Sequence, residues 1–406
     1  HIMYYKNEFI HYFKARKNIM TKNYLEIPEE LYNKLSDYAE NDQLSIRLEN
    51  QQILLENPKI NHTNKQNLAL HYFIVPSLAS GIIALLIFLS TNHPQIAFTG
   101  SRHLSVASLS IILSTLFGFF GFIWTYLRKS CDLSKSKFKI FRETLTLSVA
   151  YTSISFAVQI IFWYIIGKTF SGVTFDPFTA GFLVLVFVGI IFYFLISAAL
   201  SVTLPNLILL LFTTFIGGII VSMATNNQKD WWQHNFSFLG TGEATQHWQF
   251  NITLIFSALI LLTITDFLFA EFSKSSLYTY KFKIIRIFYI LIAFLIAFVG
   301  IFPAQSWTMP IHNNSAFGLV AVVLIMIIFL KWLVPTISKE FLALSWTALI
   351  ALILSAVAFM GIHYLSLTVF EIIAFAIAFT WLVMFINSLR AIIQEGNEWQ
   401  VKLLQK

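Results

Sequence analysis

FTAGFLVLVFVGIIFYFLISAALSVT, Phe178 to Thr203, carries no charged residue and stays apolar without a break. A hydrocarbon core of about 30 Å needs roughly 20 apolar helical residues to cross it, so this stretch is long enough for one crossing. Membrane barrels alternate apolar and polar residues in segments of about ten, and no such alternation is present here. The stretch therefore reads as a membrane helix. Nine others share its character: His71–Ser90, Ser105–Leu127, Leu147–Gly167, Leu207–Ala224, Phe250–Glu271, Ile284–Phe302, Ala316–Val334, Leu344–Ile362 and Leu367–Leu389. The expected fold class is all-α, a polytopic integral membrane helix bundle of about ten transmembrane helices.

Composition agrees. Of 406 residues, 57% are hydrophobic and 12% charged, whereas soluble domains carry about 25% charged residues. The net charge of +7 sits mainly in loops between the apolar stretches. Arg128, Lys129, Lys135, Lys137, Lys139 and Arg142 follow the second stretch, and Lys274, Lys281, Lys283 and Arg286 follow the sixth. Lys331, Lys339, Arg390, Lys402 and Lys406 fall on the same side, while the other side has Arg102, Lys168 and Lys229. Basic residues mark the cytoplasmic face, so both termini are expected there. The same rule accounts for the basic excess, and no nucleic-acid partner is expected. Cys131 is the single cysteine, which excludes a disulfide within the chain and a cysteine-based metal site. The first 70 residues lack the apolar core of a cleavable leader, and none is expected.

Four regions follow. Residues 1–70 form a polar cytoplasmic segment with short helices. One opens at Pro28-Glu29-Glu30, where proline and acidic residues suit a helix start, and carries Leu31, Leu35 and Tyr38 on one face. A second polar helix is expected from Leu44 to Leu55. This segment is either solvated or a docking site for a cytoplasmic protein partner. Residues 71–204 form a four-span unit, and a tight turn at Leu204-Pro205-Asn206 leads into six spans over residues 205–390. Residues 391–406 are a cytoplasmic tail.

Two short motifs lie in the six-span part. One is Asp230 followed by Ser237-Phe238-Leu239-Gly240 and then Trp248-Gln249-Phe250-Asn251. The other is Gly300-Ile301-Phe302-Pro303 followed by Ile311-His312 and Ala316. On these motifs residues 205–390 resemble a bacterial six-span membrane family of unknown function, related to the eukaryotic Frag/DRAM/SFK-type proteins. The resemblance implies a six-helix unit with ordered polar loops outside. Its eukaryotic relatives are linked to lipid remodelling, lipid distribution and autophagy. The likeness and the lack of disulfides favour a bacterial plasma membrane.

The candidate chemistry lies at the outer ends of spans five to ten: Asp230, His234, Ser237, His312, His363 and Glu371. Asp230 and His234 are four apart and would share a helical face. His363 and Glu371 flank a short link and should be close. Such a group could bind a metal, relay protons or act on a lipid headgroup; equally, it could be a hydrogen-bonded cap or a set of unrelated loop residues. No HExxH, HxxxH or CxxC pattern is present, so no metal and no cofactor are expected. Trp231, Trp232, Trp248 and Trp307 flank the outer loops. The two loops are expected to pack into a lid, with His312 bonded to the 226–248 loop. Within the spans, Asp266 should pair with Lys274 or Arg286. Gln159 and Asn387 should join helices, and Gly217, Gly218 and Gly300 should allow close packing or a bend.

Three functions fit. The first is a non-catalytic membrane protein that binds or organises lipids or envelope partners. The second is a membrane-embedded lipid-remodelling enzyme using the outer His/Asp group. The third is a secondary transporter, which would show paired broken helices near mid-membrane; the sequence has none.

Overall fold

The computed structural model describes residues 24–27, 43–49, 52–56, 71–91, 93–100, 104–129, 137–228, 230–273 and 278–405. Ten of its helices are long and apolar enough to cross a membrane. They are α1 (His71–Ser90), α2 (Val106–Lys129), α3 (Lys137–Thr169), α4 (Pro177–Leu200), α5 (Leu204–Thr225), α6 (His247–Phe272), α7 (Tyr280–Ile301), α8 (Met309–Ile328), α9 (Lys339–Ala356) and α10 (Leu367–Asn397). The chain is an all-α polytopic membrane bundle. Within residues 71–265 and 289–319, helices that cross in succession alternate in direction, so the links after α1, α3, α5 and α7 share one side, called here the loop side.

Among the described residues the chain divides into two compact units. One takes residues 71–265 and 289–319; the other takes the strands within 24–56 together with 266–288 and 320–405.

In the first unit the helices meet where side chains are small. A Cβ at Gly81 would lie 2.8 Å from Leu185, and one at Gly121 would lie 2.5 Å from the Phe192 ring. Lipid tails are as apolar as leucine, so helices in a bilayer gain from close approach and shared hydrogen bonds rather than from apolar burial. The expected role of Gln159 is realised: Ser114 on α2 donates to its Oε1 at 2.7 Å. On the loop side, β4 (Ile96–Ala97) pairs antiparallel with β5 (Thr174–Phe175), and Phe98 sits edge-on to Trp163, Phe170 and Phe175. Asp176 caps α4. Its carboxylate accepts from the Thr179 hydroxyl and from the backbone N–H groups of Phe178 and Thr179. Those bonds, the Thr179 hydroxyl first, hold its pKa below the ordinary aspartate range. The turn into α5 is as short as expected, with Asn206 Nδ2 donating back to the Ser201 carbonyl.

Gly218 realises its expected role as well. A Cβ there would lie 2.3 Å from Thr253 Oγ1 on α6. At Gly300 on α7 a Cβ would lie 2.8 Å from the Asn251 carbonyl.

In the second unit Asp266 pairs with Arg286 across α6 and α7 at 3.2 Å, one of the two partners expected. Trp381 on α10 donates its indole N–H to Ser345 on α9 at 2.8 Å, and Phe341, Trp381 and Phe385 stack beside that bond. Asn387 departs from expectation, being exposed on α10 rather than joining helices.

The segment expected as a polar helix, Leu44–Leu55, is instead an antiparallel pair, β2 (Gln43–Glu49) and β3 (Gln52–Glu56). The reason lies in Gln43-Leu44-Ser45-Ile46-Arg47-Leu48-Glu49, which alternates polar and apolar with the period of a strand. The helix expected at Pro28–Tyr38 lies outside the described residues. Residues expected as a tail extend α10 to Asn397 and then form β6 (Glu398–Gln405). β6 lies between β1 (Tyr24–Ile27) and β2, parallel to the first and antiparallel to the second.

Two outcomes follow. Gly218→Ala should lower thermal stability in detergent by about 1–3 kcal/mol, the usual cost of overpacking. Gly217→Ala, with nothing within 4 Å of the new Cβ, should be neutral or gain up to about 1 kcal/mol from helix propensity. Asp176→Ala should lower the melting temperature at pH 7. Its carboxyl titrates lower in the folded chain, so the contribution is full above the ordinary aspartate range and fades as pH falls through it. The variant and the parent should therefore converge in melting temperature only once the pH lies below the lowered folded-state pKa of Asp176.

Candidate functional site

The link from α5 to α6 is built by neutral amides. Asn226 Oδ1 accepts from the backbone N–H groups of Gln228 and Thr245, and Gln228 Nε2 donates to the Glu243 carbonyl at 2.6 Å. Two short 3-10 turns follow, Trp231–Gln233 and Phe236–Gly240. Phe236 meets Phe250 edge-on at 5.5 Å, seating the second turn on the start of α6. Asn251 Nδ2 donates to the Gly240 carbonyl at 2.9 Å, and the Thr225 hydroxyl donates to Gln249 Oε1. Sequence reasoning missed these amide roles. The signal for Gln249 and Asn251 was their place in the first turn of an otherwise apolar span.

The links after α5 and α7 are joined, as expected of these two loops, but by a different residue. The Gly242 backbone N–H donates to Gln305 Oε1 at 2.7 Å. His312 turns the other way. It is buried at 4% exposure, and its Nδ1 lies 2.9 Å from the Phe302 carbonyl, just beyond the end of α7. A carbonyl can only accept, so Nδ1 carries the proton. The last carbonyls of a helix have no partner within it, and His312, one turn into α8, supplies one. The expected bond from His312 to the 226–248 loop is thus replaced by a cap on α7.

The remaining candidates separate. The 3-10 turn ends before His234, so Asp230 and His234 do not share an α-helical face. Both are exposed, and His234 lies flat on Phe238 with ring centroids 4.7 Å apart. Ser237 is half-buried in the second turn. Among the described residues no side-chain hydrogen bond joins Asp230, His234, Ser237 and His312 to one another.

His363 and Glu371 belong to the other unit. The last turn of α9 widens to a π turn over Val357–Gly361, and His363 follows in the left-handed region at φ 57°. That conformation lets Tyr364 donate to the Ala358 carbonyl at 2.8 Å, closing the helix end. His363 is exposed and serves the turn; Glu371 is half-buried within α10. Among the described residues no three His, Cys, Asp or Glu side chains are placed to hold a metal.

One acidic residue was overlooked. Glu143 is fully buried. The Tyr126 hydroxyl donates to it at 3.4 Å, and Lys139 lies 3.9 Å away on the same helix. The sequence placed it in a basic loop because the apolar stretch starts only at Leu147, whereas α3 starts ten residues before that, at Lys137.

Comparison with family models, curated proteins and solved structures returns no match for this chain, so the site stands on its own geometry.

Paired substitutions at two histidines separate structure from chemistry. His312→Ala should lower stability by about 1–3 kcal/mol, because it leaves the Phe302 carbonyl unpaired; His312→Gln, which keeps a donor, should recover part of that loss. His363→Gly should match or exceed the parent by up to about 1 kcal/mol, while His363→Val should lose about 1–2 kcal/mol in the left-handed position. Thermal melts in one detergent check both pairs.

Proposed function

We propose that this chain is a non-catalytic membrane protein of the bacterial plasma membrane that binds and organises lipid, with its loop-side cap seated in the outer headgroup layer. The observation that carries this reading is a set of exposed indoles on a cap joined internally by amide hydrogen bonds. Trp232, Trp248 and Trp307 are 54%, 52% and 77% exposed. Trp248 has its indole N–H bonded to Gln246 Oε1 at 2.7 Å, which fixes the ring. Tryptophans concentrate at membrane–water boundaries, where an apolar ring and a polar tip are both accommodated. His312 is engaged as a helix cap, and Asp230 and His234 stand apart from it, so the geometry favours a structural cap over an acid–base pair.

The resemblance of residues 205–390 to the six-span family supports the same reading, since its eukaryotic relatives act in lipid remodelling and distribution. The split of basic residues supports an orientation with both termini, and the sheet of β1, β2, β3 and β6, in the cytoplasm. A cytoplasmic protein partner would then bind through residues 1–70, which supply β1, β2 and β3.

Two measurements test this. In nanodiscs, lipids brominated near the headgroup should quench tryptophan fluorescence more than lipids brominated at the chain end. The Trp232→Phe, Trp248→Phe, Trp307→Phe triple variant should lose most of that difference. Quenching by aqueous acrylamide alone would reject the seated cap. In a Cys131→Ser background, Glu243→Cys should react with an impermeant maleimide in intact cells, and Ser273→Cys only after lysis. The reverse pattern would invert the topology.

A further inference from the structure

A groove of about 500 Å³ runs between α1 and α4. Its floor exists because residue 189 is glycine: a Cβ there would lie 2.7 Å from Ser77 Oγ. The Ser77 hydroxyl is itself bonded to the Phe73 carbonyl at 2.5 Å, so the floor presents no unpaired donor. The rims are apolar and face outward: Ile74 and Leu78 on α1, Ile190 and Phe194 on α4. At one end Phe73 meets Tyr193 edge-on at 5.6 Å. At the other, α1 and α4 close together at Gly81 and Leu185.

The length of the groove selects its occupant. From Leu185 to Phe194 an α-helix rises about 13 Å, close to one leaflet of a hydrocarbon core of about 30 Å. The groove lies in the half of the membrane nearer the start of α1 and the end of α4, and Gly81 and Leu185 shut it at mid-depth. A transmembrane helix from a second copy would need a furrow through both leaflets. A single acyl chain needs one, and this volume falls within the range of ligand-sized pockets, about 300–1,000 Å³. Hydrocarbon is also what the bilayer brings against exposed isoleucine, leucine and phenylalanine.

We infer that this groove seats one acyl chain of a bilayer phospholipid from the leaflet at the start of α1, the cytoplasmic leaflet in the orientation proposed above. The inference rests on the lipid-binding reading and adds its site. The seat is built from three features: the missing side chain at Gly189, the self-satisfied Ser77 and the closure at Gly81.

The test is native mass spectrometry of the full chain, purified from nanodiscs of phosphatidylethanolamine and phosphatidylglycerol, counting phospholipids retained as detergent is stripped. Ile190→Trp adds bulk at the rim without a clash at the floor. Leu209→Trp changes a still more exposed site on α5, away from the groove. The parent and Leu209→Trp should retain the same number of lipids, and Ile190→Trp one fewer per chain. Equal retention in all three would overturn the seat while leaving lipid binding intact. No retained lipid in the parent would overturn the lipid-binding reading and the seat together. A dimer in the parent that Ile190→Trp dissolves would overturn it in favour of a second copy as occupant. If Ile190→Trp fails to fold, a phospholipid with a mid-chain diazirine decides. Its crosslinks should concentrate on residues 74–78 and 185–194 and be competed by unlabelled lipid; an even spread over exposed faces would overturn the seat.

Discussion

In hydrocarbon, an apolar side chain gains almost nothing by leaving lipid for protein, so the bundle is held by what lipid cannot provide. Lipid cannot give backbones close approach, and it cannot satisfy a donor. The seams of this protein use one or both. Gly81, Gly121, Gly218 and Gly300 let neighbouring helices come within van der Waals reach. Ser114 with Gln159, Asp266 with Arg286, and Trp381 with Ser345 each place a directed bond between helices. Several of the hydroxyls that enter the bundle arrive already satisfied. Thr144, Thr253 and Ser345 each donate to the carbonyl four residues earlier, so Ser345 needs only its spare lone pair for Trp381.

The membrane path was legible in the sequence because hydrocarbon imposes a length and a composition. Phe178–Thr203 could be read without its neighbours, and so could the interfacial pairing of Asp266, whose partners were limited to nearby cations. Helix ends were less legible. α3 begins ten residues before its apolar stretch, and Glu143 was missed for that reason. The residues 44–55 were misassigned because a short run of leucines fits either period, and the strict alternation of Gln43–Glu49 carried the better signal. At the cap, spacing suggested that Asp230 and His234 share a face, but a 3-10 turn rotates by a different angle per residue. The choice of Phe302 as the partner of His312 was not legible at all. It depends on where the end of α7 comes to rest against the first turn of α8.

Two parts of the chain differ in the kind of bond that orders them. The links after α5 and α7 are tied by neutral amides: Gln305 to Gly242, Asn251 to Gly240, Gln228 to Glu243. The link between α6 and α7 uses ions instead, with Arg286 on Asp266 and Lys281 both donating to the Trp332 carbonyl and lying over its ring. Ionic strength weakens exposed charge pairs and leaves neutral hydrogen bonds largely unchanged. The order of the links after α5 and α7 should therefore depend little on ionic strength.

The position of β6 sets an order of assembly. It lies between β1 and β2 and hydrogen-bonds to both, so neither β1 nor the β2–β3 pair has its final neighbour until β6 exists. Some 370 residues separate β1 from β6. At about 5–20 residues per second of synthesis, the early strands wait roughly 20–75 seconds. All ten membrane helices are synthesised during that interval. The edges that β1 and β2 finally give to β6 lack that neighbour throughout it.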